Sequence, residues 1–527
     1  MDLRQFKVVE SRNQRFRLCV PLCLCGGIVF SSGCMVGPDF EKPSTQVSSK
    51  FAGLDKSVTP DGLASTPNDA PLEISRWWRE FNDDKLTELI SKAQRQNLDV
   101  AVAIARIRQA RAQVMIATGG LYPSVSIGAS AQKTRSPLGG VGTGGNGRIS
   151  EFYQAGFDAS WEIDVFGGIR REIESTKAGL EASIENRDDV LVTLAGEIGT
   201  NYINLRGAQN QLAISRVNLE AQETTLSLTQ ERFEAGFVAA LDVANAQAQV
   251  ASTRSSIPVA ESQIRTFIYA LGVLLGEEPS TLIAELTPDQ EIPRAPATVP
   301  IGLPSELLQR RPDIRRAEAN LHAATAQIGA AIANLYPQFN ISASIGLQGG
   351  SAGDLGSLAN HYWSFGPGAN WLVVDGGQTQ GNIEFQRGVV DEVFATYKQT
   401  VLIALRDTET ALVNFTSEQQ RRVALAQAVE ANRQAVDLSM ELYSNGRTDF
   451  LNVLVAQRQL FVSEDALSQS EANVSTSLVA LYKALGGGWG LEDGEPGAGP
   501  PEARPVADPV ASPVAVTPTA ETTAPIQ

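Results

Sequence analysis

The chain of 527 residues carries 43 Lys and Arg against 59 Asp and Glu, a formal net charge of −16. That sign opposes a phosphate backbone and excludes a nucleic-acid partner bound by counterion release. Two histidines, His322 and His361, and four cysteines, three of them inside the leader described next, leave few side chains for a transition-metal site. No metal or other cofactor is expected.

Arg4, Lys7, Arg12, Arg15 and Arg17 precede the apolar run 18–30, and SSGC closes the segment at 31–34. A basic start, a short apolar run and small residues make residues 1–33 a signal peptide, too short to span a membrane. Cys19, Cys23 and Cys25 would leave with it, so the mature chain would begin at its one remaining cysteine, Cys34. The stretch resembles a bacterial lipobox. That likeness implies acyl chains on Cys34, and the following Met35, in place of Asp, implies sorting to the outer membrane; Ser31 departs from the aliphatic residue preferred there. Residues 34–76 read as a lipid-anchored lead-in, polar over 44–70.

A first repeat covers 77–290. A helix is expected near 83–117, then a strand hairpin over 121–166. YPSVSIGASAQ (122–132) alternates apolar and polar residues, and so does FDASWEIDVF (157–166), where Phe157, Ala159 and Trp161 oppose Asp158, Ser160, Glu162 and Asp164. Period two is the signature of a strand. Long Pro-poor helices rich in Ala, Glu, Gln and Leu follow over 168–275, turning at Gly236, with Pro258 expected to break or kink the second. Leu212, Ile214, Val217, Leu219, Leu226 and Leu228 recur at helical spacing and read as helix-packing core.

A second repeat covers 291–487. A helix is expected at 311–334, a hairpin at 335–375 containing Trp363 and Trp371, and long helices at 378–485 turning at Gly446. Each hairpin opens with LYP, has a Gly-rich loop, and closes with Asp and Gly-Gly; the offset is about 210 residues, an internal duplication. Residues 488–527, rich in Pro, Ala and Thr, read as a disordered tail. Two short motifs fail on context. GTGGNG (142–147) precedes a strand where a dinucleotide loop needs a helix, and GGSAG (349–353) lacks the helix a hydrolase elbow needs.

Alternation alone leaves a soluble sandwich and a membrane barrel both open; the export signal favours the barrel. Four strands cannot close one, so copies of the chain would share it: two would give eight strands with a filled interior, three would give twelve with a lumen. Asp158, Glu162 and Asp164 would then face water. Phe157, Trp161, Trp363 and Trp371 would face lipid or its boundary.

GPDFEKP after Cys34, WWREFND (77–83), LPSELLQRRPDIRRAE (303–318) and the paired turns ERFEAGFVAALDVANAQ and ELYSNGRTDFLNVLVAQ resemble the TolC-like outer-membrane factors, in particular the lipoprotein (OprM/NodT-like) branch serving RND-type multidrug efflux pumps. The resemblance implies an α+β membrane channel: a homotrimer with a twelve-stranded outer-membrane barrel continued by a periplasmic α-helical barrel. It implies a passive exit duct for small molecules, not an enzyme, coupled to a periplasmic adaptor and an inner-membrane pump. It also implies a gate at the tip, where the turns at Gly236 and Gly446 meet and Asp242 hydrogen-bonds Tyr443. The family's gate arginine falls on Thr448, beside Arg447, and its two constricting acids fall on Asn452 and Val455. Asp242 also reads as a helix N-terminal cap. Rival readings are a duct for protein secretion, a trimeric coiled-coil adhesin, and a soluble sandwich-plus-helix binding protein.

Overall fold

The computed structural model describes residues 35–44, 51, 66–68, 74–136, 148–296, 298–300 and 304–490. The signal peptide, Cys34, much of the polar lead-in, residues 137–147 of the first Gly-rich loop and residues 491–527 of the tail lie outside these described residues.

The chain order is β1 (Thr66–Asn68), α1 (Asp84–Gln96), α2 (Leu98–Gly119), β2 (Ser124–Ser136), β3 (Arg148–Ile163), α3 (Gly168–Glu234), α4 (Ala240–Leu274), α5 (Ile283–Leu286), β4 (Thr298–Pro300), α6 (Pro304–Arg310), α7 (Pro312–Ala333), β5 (Gln338–Gly349), β6 (His361–Asn370), α8 (Gln378–Ser444) and α9 (Phe450–Ala484). The duplication is metrical: α3 and α8 each run 67 residues, α4 and α9 each 35. At 1.5 Å rise per residue, α3 and α8 are about 100 Å long. None of the described helices is long and apolar enough to cross a membrane.

Several sequence expectations are corrected. The single helix expected over 83–117 is two, because Asn97 restarts it: its backbone is extended, its Oδ1 accepts from Asp99 and Val100 N–H, and its Nδ2 donates to Leu274 O. Pro258 does not break α4, which runs unbroken from Ala240 to Leu274; one missing bond is tolerated in a long helix packed along α3. The end of the second expected hairpin also moves, since β6 ends at Asn370 and Trp371 lies beyond it. Residues 488–490 are not part of a free tail, because Gly488 and Gly490 N–H groups donate to Ile74 and Ser75 carbonyls.

The helix-packing stripe is also different from the one expected. The buried line on the distal half of α3 is Ser215, Asn218, Gln222, Thr225 and Thr229, while Val217 is exposed. Asn218 Nδ2 donates to Glu464 and Gln457 Nε2 donates to Thr225 Oγ1, while the buried Gln222 amide has no partner among the described residues. Of the expected stripe, Leu212 packs half-buried on the main core and Leu226 and Leu228 on the cluster near the tip.

Midway along the long helices sits the main core. The WWREF turn inserts Trp77, Trp78 and Phe81 beside Leu86, Ile90, Tyr202, Leu205, Phe415 and Tyr482. Each buried Leu or Ile there contributes about 2 kcal/mol. Tyr202 donates to Asp83, whose carboxylate also caps α1 through Leu86 N–H, and burial pushes the Tyr202 hydroxyl up to about 12. The RRPDIRR stretch opens α7: Arg311 grips Asp313 and donates to Ala484 O, Arg315 pairs with Glu185, and Arg316 pairs with Asp189. Burial raises Glu185 to about 7 despite Arg315 beside it. Helix α7 packs between α3 and α8, and its repeat partner α2 packs on α3.

Candidate functional site

Three places along the molecule carry functional side chains: the sheet, the joint between sheet and helices, and the far helical tip.

The sheet is antiparallel, in the order β2-β3-β5-β6. Its register places Ile127, Phe157, Ile345 and Trp363 in one row across the four strands, and Ser126, Asp158, Ser344 and Ser364 in the next. Side chains alternate between faces, so one face carries Val125, Ile127, Phe157, Ile345, Trp363 and Phe365, all exposed. The opposite face carries serines, glutamines, Asp158 and Glu162. On that face Tyr362 lies over a glycine lane, Gly346 and Gly156, where an added Cβ would meet its ring or hydroxyl at 2.9 Å; Gln154 Nε2 donates to the Tyr362 hydroxyl at 2.6 Å. Among the described residues, β2 and β6 each pair on one side alone.

At the joint, Trp161 and Trp371 do the same thing in the two repeats. Trp161 Nε1 donates to Leu121 O and Trp371 Nε1 to Leu335 O, both at 3.0 Å. Each ties the end of a hairpin to the LYP turn that opens it. The expected place of Asp164 on the polar strand face is corrected: it lies past β3, accepts from Ile169 and Arg170 N–H, and pairs with the Arg170 side chain at 3.0 Å. It caps α3, as Asp375 caps α8 through Gly377 and Thr379 N–H.

Residues 35–44 are strapped to this joint. Val36 N–H donates to Phe166 O. Arg171, 1% exposed, donates to Val36 O, Asp39 and Glu174 at 2.7–3.0 Å. Phe40 stacks on His322, and His322 Nε2 bonds Glu174. Gly37, at φ 95°, lies against Gly329, leaving no room for a Cβ on it. Met35 lies against Gly167, at the base of the sheet. Arg171 has no repeat counterpart and no motif around it, so only the contacts reveal it.

At the tip, the Asp242–Tyr443 bond implied by the resemblance is not formed within the chain. Asp242 caps its own helix, accepting from Ala239 N–H at 3.2 Å. The Tyr443 hydroxyl is buried without a partner, and its ring packs with Phe450, Val453 and Ala246. The helix-cap reading of Asp242 therefore holds. Gly236 and Gly446 sit at φ 78° and 68° and let each helix turn. Arg447 N–H closes the second turn onto Leu442 O, Asn452 Nδ2 donates to Thr448 Oγ1, and Val455 is exposed. The cation that reaches across the tip is Arg232, on α3. Its acceptors are main-chain carbonyls, which leave no mark in a sequence.

A sheet apolar on one face and polar on the other, continued by duplicated helices about 100 Å long, defines an outer-membrane channel subunit. The model of the outer membrane efflux protein family matches residues 89–277 and 303–487. Nodulation protein T of Rhizobium leguminosarum bv. trifolii is 32% identical, over 87% of this chain and 95% of its own. The pyoverdine export outer membrane protein OpmQ of Pseudomonas aeruginosa is 34% identical, over 81% and 90%. Among solved structures, the outer-membrane channel OprN superposes with a TM-score of 0.80 at 36% identity, over 86% of this chain and all of that one. The open state of the Neisseria gonorrhoeae MtrE channel gives 0.73 at 26%, over 87% and 99%. The chain belongs to the outer membrane efflux protein family, and it is an outer-membrane channel component of a tripartite efflux system.

Proposed function

We propose that three copies of this chain form a lipid-anchored passive duct, with a shared twelve-stranded barrel and a helical cylinder reaching toward a periplasmic adaptor and an inner-membrane RND-type pump. The observation that supports it is an unfinished molecule. The sheet has two unpaired long edges, which lipid does not tolerate. Helix α7 has partners on two sides, α3 and α8, whereas α2 packs on α3 and leaves Met115 and Ile116 exposed by 75% and 70%. A neighbouring copy that offers its α8 to α2 and its β6 edge to β2 repairs both at once, and repetition closes a ring.

The strap supports the anchor. It brings Met35 to the base of the sheet, and acyl chains on the residue before it would enter the same membrane. The duct performs no covalent chemistry and needs no cofactor beyond that lipid. Asp158 and Glu162 line its lumen, Phe157 and Trp363 meet lipid, and Trp161 and Trp371 mark the boundary.

Two measurements test the reading. The chain is expressed with an adaptor and pump in a host lacking its own efflux channel. Restored resistance to pump substrates and lower dye accumulation are expected; correct outer-membrane insertion without any change in accumulation would refute the exit duct, and export of a polypeptide would favour the secretion reading. Labelled fatty acid is expected on the wild type and absent from Cys34→Ser.

A further inference from the structure

Arg232 occupies the last turn of α3, at the tip. Its Nη1 donates to Tyr443 O at 2.5 Å and its Nη2 to Ser444 O at 3.3 Å. Its guanidinium carbon stands 4.6 Å over the Tyr443 ring. Both acceptors belong to the last turn of α8, at the negative end of the helix dipole; Tyr443 O also accepts from Gly446 N–H, and a carbonyl has room for both donors. One planar cation thus joins the first-repeat hairpin, α3 and α4, to the second, α8 and α9.

The rest of the tip contact is apolar: Tyr443, Phe450, Val453 and Ala246, with Leu226 and Leu228 against them. Such packing is non-directional and lets helices slide; a fork of N–H groups on fixed carbonyls does not. Asp242 is occupied in capping its own helix. The repeat position of Arg232 is Leu442, so the latch runs one way, from the first repeat to the second.

We propose that Arg232 is the positioning residue that holds the far end of the duct narrow, by clamping the C-terminus of α8 through its carbonyls and the face of Tyr443. This rests on the duct reading given above. Widening the tip requires the two hairpins to part, and among the described residues the guanidinium makes the side-chain bonds between them nearest the turns, beyond Gln457–Thr225.

The test uses the full-length protein in detergent, with spin labels at Phe237 and Leu451, exposed residues on the two hairpins. In Arg232→Leu, the distance between labels should lengthen and broaden, and single-channel conductance in planar bilayers should rise several-fold. Arg232→Lys keeps the charge but reaches one carbonyl, so it should fall between. Tyr443→Phe should move both readings less than Arg232→Leu. Wild-type distances in Arg232→Leu, or a larger opening in Asp242→Ala, would overturn the latch. Should the assembled wild type and Arg232→Leu both pass no current while the distance lengthens, the latch stands and the duct reading fails. If Arg232→Leu does not assemble, an unchanged distance in Arg232→Lys overturns the proposal and an intermediate one supports it.

Discussion

The two repeats share tryptophan and aspartate ties where sheet meets helix, and at the tip they share the backbone turn but differ in the side chains around it. Where sheet meets helix, Trp161 and Trp371 make the same bond to the same LYP turn, and Asp164 and Asp375 each cap a helix of 67 residues. At the tip, Arg232 faces Leu442 in the alignment of the repeats, Phe233 faces Tyr443, and Asp242 faces Asn452. The joint needs the same geometry twice, because each hairpin must hand its strand to a helix at one angle. The tip needs its two hairpins to differ, because a cation on one must find carbonyls on the other.

That contrast can be strained at graded cost. The largest effect is expected where the first repeat has something the second lacks altogether. Arg171 aligns with Gly381 and holds the strap through two carbonyls and the Asp39 carboxylate, while Glu174 on its own helix steadies it. Arg171→Ala should cost about 3 kcal/mol, since it removes a buried guanidinium that holds four acceptors; limited proteolysis should cut within 35–44, while wild type resists. Next comes the pair of caps. Asp164→Ala should cost about 2 kcal/mol and Asp375→Ala about 1 kcal/mol, because Asp164 alone also holds an arginine, Arg170. Thermal dissociation in detergent ranks them; equal losses would mean the Arg170 pair contributes nothing.

The smallest effect is expected at Glu185, which pairs with Arg315 at α7 and aligns with Ala395 in the second repeat. Burial holds its folded value near 7, above the ordinary carboxylate value of 4.5. The folded state therefore binds a proton more readily than the unfolded chain. The stability it adds is complete below 4.5 and is withdrawn as pH rises to about 7. Between about pH 5 and about pH 8, Tm should fall less steeply in Glu185→Gln than in wild type. An equal slope would mean that Arg315 keeps Glu185 ionised throughout.

How much of this was legible follows from where each signal lies. Period-two strands, the 210-residue offset and the turns at Gly236 and Gly446 are properties of local sequence and could be read there. The break at Asn97 was hidden, since an Asn within a helical pattern declares itself a cap only when its side chain meets Leu274 O. The packing stripe of α3 is legible only in part: Leu212, Leu226 and Leu228 pack as their spacing suggests, whereas burial set by the neighbouring helix takes Ser215 and Thr225 and leaves Val217 out. Asp164 continued the strand's alternation one step past the strand's end at Ile163. The Asp242–Tyr443 pairing came with the family resemblance, while this chain uses Asp242 on its own helix. Arg232 and Arg171 bind main-chain carbonyls, whose positions no residue type reports.

The central claim is that an open sheet and a half-partnered α2 are completed by two further copies. The most direct test is the mass of the mature protein in mild detergent, read together with single-particle images. Three copies in a rod longer than about 100 Å are expected, with a barrel at one end and Arg232 at the other. Two copies, or a monomer stable without detergent, would contradict it.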